Sequence, residues 1–131
     1  MIPWYVQVIL LASSLLLVGL GLPMALRKVP PNDWYGFRAP VTLRSRAAWY
    51  AGNAHSGWWI VAGGLLSLPI AIYGLIAGGG LTMIWVFTGL SMGPLLVGII
   101  PALIVAYRAE ARSGDDDGSS SVEEIPEHFR K

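Results

Sequence analysis

Cysteine is absent from the 131-residue chain, which excludes disulfides, thiolate metal ligands and cysteine nucleophiles. Charge is scarce, at 13% of residues, where a soluble domain carries about a quarter. It is also segregated: no Asp, Glu, Lys or Arg falls between Met1 and Leu26, and none in the 53 residues from His55 to Tyr107. A bilayer crossing takes about 20 apolar residues at ~1.5 Å each, so the first run holds one span and the second holds two. No ionisable acid or base other than His55 interrupts these runs, and ion-coupled transport by a monomer needs such a group inside its spans. Alternating strand patterns are missing, and with them any Gly-rich phosphate loop following a strand. No basic segment precedes the first apolar run, which is also too long for a signal-peptide core, so it reads as an uncleaved span. The length allows one domain at most.

What is present reads as an all-α membrane protein of three transmembrane helices, over about residues 1–26, 57–77 and 81–107. Trp4 and Tyr5 suit an interfacial aromatic belt, and Arg27 and Lys28 reach the headgroups. Gln7, Ser13 and Ser14 are expected to hydrogen-bond within the first helix or to a neighbour. Pro30-Pro31 stops that helix. Thr42 is a plausible N-cap for an interfacial helix over about 43–56, leading into the second span. Gly78-Gly79-Gly80 is a short turn, and Pro69, Pro94 and Pro101 lie inside spans. Gly74/Gly78 and Gly89/Gly93 match the small-xxx-small spacing of close helix contacts. Residues 1–112 form the membrane domain, and 113–131, opening with Ser-Gly-Asp-Asp-Asp-Gly-Ser-Ser-Ser, reads as an acidic disordered tail. Asp115 to Asp117 within it is a solvated acidic run rather than a cation site.

The polar loop between the first two spans is where recognition is expected. Residues 27–57 carry five basic residues against Asp33 alone, a balance of +4. Residues 108–131 carry four basic against seven acidic, a balance of −3. The basic residues place the loop and C-terminus in the cytoplasm and the N-terminus outside the plasma membrane. Trp34, Tyr35 and Phe37 are rings suited to the headgroup layer, and the Arg38 guanidinium can pair with phosphate or carboxylate. Held in a Pro-rich segment, Arg38 is expected to bond to carbonyls freed near Pro30-Pro31 or to the Asn53 amide. Asp33 and His55 could pair if the loop folds back, but no third group orients them, so no catalysis, cofactor or metal is expected.

The run Pro31-Asn32, Tyr35-Gly36-Phe37-Arg38 and Pro40, followed by Trp49 and Asn53, resembles the signature of the SdpI family of bacterial integral membrane proteins over roughly residues 14–107. Ala39 stands where that family often has threonine. The resemblance implies toxin immunity or signalling, since the family includes the immunity protein against a secreted membrane-disrupting peptide, the sporulation-delay toxin. That protein is also thought to sequester a transcriptional repressor. The candidate binding residues are therefore Asn32, Tyr35, Gly36, Phe37, Arg38, Pro40, Trp49 and Asn53. The expected partners are membrane lipids together with a peptide toxin, a regulatory protein or a larger membrane complex; nucleic acid is not among them. In a second reading the chain is an accessory structural subunit of such a complex. The topology is testable: Ser45→Cys and Ser120→Cys should resist an impermeant thiol reagent in intact cells, while Gly79→Cys should label. Labelling of both loop and tail positions from outside would reverse the orientation.

Overall fold

The computed structural model describes residues 1–122, with side chains through residue 115. Three helices make up the described chain: α1 (Trp4–Ala25), α2 (Arg46–Ala77) and α3 (Leu81–Val122). Each is long and apolar enough to cross a membrane. Helix α1 ends in two bonds, from the Arg27 amide to the Met24 carbonyl (3.0 Å) and from the Lys28 amide to the Pro23 carbonyl (2.9 Å). This is the Schellman arrangement, which places its C′ residue in the left-handed region. Arg27 occupies that position at φ 57°, where glycine is usual and a side chain costs about 1–2 kcal/mol.

Two boundaries differ from expectation. Helix α2 starts at Arg46, capped by the Ser45 hydroxyl, which accepts from the Ala48 amide at 3.1 Å. Thr42 is not the cap because its hydroxyl is used inside the loop, accepting from the Ala39 amide at 2.9 Å. No separate interfacial helix exists over 43–56: residues 40–44 form a turn, and Arg46 onward are the first turns of α2 itself. Helix α3 continues past Tyr107 to Val122, so residues 113–122 of the segment read as a disordered tail are helical. Extending a formed helix needs no new nucleation, which is why polar residues can follow it. The remainder of the expected tail lies outside the described residues.

Helix α2 is the hub. Both α1 and α3 pack on it along their lengths and hardly touch each other. The α1 seam repeats every seven residues: Gln7, Ser14 and Gly21 are all buried. They face Gly74, Gly64 with Ser67, and Gly57 of α2. A Cβ on Gly57 would lie 2.8 Å from the Gly21 carbonyl oxygen and 2.8 Å from the Met24 Cβ. One on Gly64 would lie 2.8 Å from the Ser14 carbonyl oxygen. Ser14 and Ser67 share a buried hydroxyl hydrogen bond of 3.0 Å between the helices. In lipid there is no hydrophobic force between helices, so backbone proximity and such bonds hold them together.

The α3 seam uses Gly63 against Ser91, Gly98 against the Trp59 ring, and Gly52 against Ala106. Of the two glycine pairs singled out by spacing, Gly74 is a true contact, leaving room for Gln7 and Met83. Gly78 instead caps α2 at φ 77°. Gly89 and Gly93 face open space. The contrast is measurable by unfolding in mild detergent. Gly57→Ala must push α1 outward and should cost about 1–3 kcal/mol, whereas Gly93→Ala should stay within ~0.5 kcal/mol of wild type.

Candidate functional site: a loop locked onto the second helix

After Pro30-Pro31 the chain turns around Asn32. Its side-chain carbonyl accepts from the Trp34 amide (3.1 Å) and the Tyr35 amide (2.7 Å), and its amide donates to the Pro30 carbonyl (2.8 Å). This is an Asx turn, in which a side chain replaces the next backbone partner. The Tyr35 hydroxyl donates to the Leu20 carbonyl of α1. Burial raises the phenol above its ordinary value, so it stays protonated and able to donate at neutral pH.

Gly36 sits at φ 119°, and a Cβ there would collide with the Asn53 side-chain oxygen. Only glycine meets both demands. Immediately beyond it, the Phe37 amide donates to that same Asn53 oxygen at 2.6 Å. The Asn53 amide donates to the Trp49 carbonyl at 2.9 Å, and the Trp49 indole N–H donates to the Val29 carbonyl at 3.0 Å. Asn53 and Trp49 are each only 1% exposed. Thr42 closes the return of the loop, its hydroxyl lying 3.0 Å from the Phe37 carbonyl.

Apolar packing follows the same path. Met24, Val29 and Trp49 cluster with Tyr35, Phe37 and Ile60 at the α1 side. Ala39, Val41, Ala48 and Ala106 cluster with Phe37 and Leu103 at the α3 side. The loop thus bridges the two outer helices across the end of the hub.

Five of the candidate residues, Tyr35, Gly36, Phe37, Trp49 and Asn53, meet at this lock, and Asn32 shapes the approach to it. Arg38 and Pro40 do not join them; both are exposed. Arg38 bonds within the loop, as expected, but to the Asp33 carbonyl, with the Asp33 carboxylate 3.8 Å away. The expected acceptors near Pro30-Pro31 and Asn53 are already taken by Asn32, Trp49 and Phe37. Asp33 and His55 are not brought together. The Asp33 side chain is fully exposed, while His55 Nε2 is buried, without a hydrogen-bond partner among the described residues, and its ring lies edge-on to Trp59.

Beneath Tyr35-Gly36-Phe37 lies an apolar groove of about 610 Å³ between α1 and α3, with α2 as its floor. Leu20, Met24, Trp59, Ile60, Leu96 and Ile99 line it, and Ser56 and Tyr35 are its hydroxyl-bearing residues. Sequence reasoning had these residues as plain span. The available signal was Gly98, seven residues beyond Ser91 on the inner face of α3, which admits the Trp59 ring.

The lock is built from the signature run itself, with its asparagine, glycine and tryptophan each meeting a steric or hydrogen-bonding demand that no close substitute satisfies. A family model described as the SdpI/YfhL protein family matches residues 28–107. The chain belongs to that family. The match takes in the loop, α2 and α3 as far as Tyr107, and begins after α1, later than the residue-14 start of the motif resemblance. No curated protein and no solved structure matches the chain.

This geometry assigns the SdpI-type signature to folding the loop, and stability should show it. Asn53→Ala orphans the buried Phe37 amide and should cost about 2–3 kcal/mol in a detergent melt. Arg38→Lys alters only an exposed pair and should stay within ~1 kcal/mol.

Proposed function

We propose that this SdpI-family chain is a non-catalytic protective or signalling protein of the bacterial plasma membrane. It binds a hydrophobic, membrane-inserted peptide of the toxin class in the groove between α1 and α3, beneath the loop. The observation that carries this reading is the groove itself. It is apolar along its walls, open to the membrane between helices that hardly touch, and roofed at one end by a loop fixed from inside. An apolar ligand can enter it sideways from lipid without dehydrating any charge. Trp34, 87% exposed, and Arg38 form the outer face of the same loop. On the positive-inside reading they face the cytoplasm, where a regulatory protein could sense an occupied groove.

An accessory-subunit role is favoured by one observation: Gly89 and Gly93 leave an open small-residue strip on α3, of the kind another helix packs against. The two readings separate by photo-crosslinking in cells. A crosslinker at Leu96, in the groove, should capture a short peptide. One at Gly93 should capture a larger membrane protein at fixed stoichiometry if the subunit role holds. Leu96→Trp, which fills the groove, should remove protection against the cognate peptide while expression is unchanged. Full protection by that variant would overturn the groove reading.

A further inference from the structure

On the other side of α2 is a second cavity, of about 760 Å³, lined by Arg27, Arg46, Tyr50, Arg108 and Arg112 with Val105 at its base. At about 3.6 residues per turn, Ala47, Tyr50 and Ala51 lie on the face of α2 opposite Ser56, Trp59 and Ile60. This cavity is therefore separate from the groove, and nothing in the peptide-binding reading depends on it. Among the described residues, no acid lines it. Asp33 lies beside Arg38, and Glu110 lies beside Arg44 at 4.0 Å.

We propose that this cavity binds the phosphate of an anionic membrane phospholipid. Four arginines from three segments line one space, and guanidinium forks match phosphate oxygens. Arg46 is the first residue of α2, so the positive end of the helix dipole, with the first-turn amides that Ser45 does not cap, adds to the same field. Their level fits a lipid. Arg27 follows an uncharged run that ends at Leu26, and Arg108 follows one that ends at Tyr107. Both cations therefore stand at the hydrocarbon boundary, where headgroup phosphates lie, while Tyr50, Ala47 and Val105 offer apolar surface to the glycerol and upper acyl chain. Basic pockets between membrane helices recognise anionic headgroups by this combination. Arg27 adds a separate indication. It holds a backbone conformation suited to glycine, and from that position at the end of α1 it lines the cavity.

The test uses the full chain purified in mild detergent, with native mass spectrometry to count bound lipid. Wild type should retain phosphatidylglycerol over phosphatidylcholine, and added salt should weaken that retention. Arg46→Gln/Arg108→Gln should lose it by about tenfold or more, the effect of removing one charge-assisted hydrogen bond. Arg44→Gln, outside the cavity, should not. Arg27→Gly distinguishes binding from folding: it relieves backbone strain, so the lipid-free melting temperature should hold or rise while lipid retention falls. Equal retention by wild type and Arg46→Gln/Arg108→Gln would overturn the site, as would an equal loss in Arg44→Gln. Inorganic phosphate raising the melting temperature as much as phosphatidylglycerol would overturn the lipid as occupant and leave a free-phosphate site.

Discussion

One buried carboxamide holds the loop to the membrane helices. The Asn53 oxygen takes the Phe37 amide and its nitrogen reaches the Trp49 carbonyl, so a side chain on α2 supplies what a neighbouring strand or helix would otherwise supply. In a low-dielectric setting an unpaired amide is expensive, and that expense gives the loop a single register. Slip the loop by one residue and Phe37 loses its acceptor, Gly36 no longer stands where only glycine fits, and the Trp49 indole faces no carbonyl. The surrounding apolar clusters add stability but would tolerate other arrangements. The polar lock would not.

That lock has a consequence for the helices. Because α1 and α3 hardly touch, nothing along the bundle fixes the gap between them except their separate seats on α2. The loop ties the loop-side ends of both, through Tyr35 to the Leu20 carbonyl and through Val41 to Ala106. The α1 seam achieves closeness by small residues at a seven-residue repeat, the period suited to a shallow left-handed crossing. Close seats on one hub, a tied end and an untouched gap together produce a groove that persists without a third helix contact.

The spans were legible because charge exclusion over long runs has few alternative explanations, and the observed ends at Ala77 and Leu81 agree with the sequence reading. The signature was legible as a pattern, though its use was not. Asn32, Trp49 and Asn53 read as candidate binding residues, yet each bonds to a backbone group inside the fold. A sequence does not say which carbonyl is short of a donor. Thr42 and Ser45 are both competent caps, and the choice between them depends on the Ala39 amide, a tertiary fact. The seam was legible only in part: Ser14 bonds to a neighbouring helix, as expected, but the repeat it belongs to was not legible. Spacing of four drew attention to Gly89 and Gly93, while the working contacts recur at seven and mix Gln, Ser and Gly.

The two sides of α2 stand in different relation to the family. The residues of the lock, from Asn32 to Asn53, lie within the matched range 28–107, and their roles follow from fold geometry, so membership in the SdpI family carries the scaffold with it. Of the four cavity arginines, Arg27, Arg108 and Arg112 fall outside that range. Membership therefore does not supply the basic cavity. The cavity depends on where this chain places charge at the ends of its uncharged runs. Arg38 and Arg44 have carboxylate partners beside them, and the cavity arginines line one open space with no acid among the described lining residues. Like charges held together cost energy unless an anion or solvent relieves them. At the membrane boundary the anion in greatest supply is the lipid itself, which makes the bilayer part of what holds this end of the bundle together.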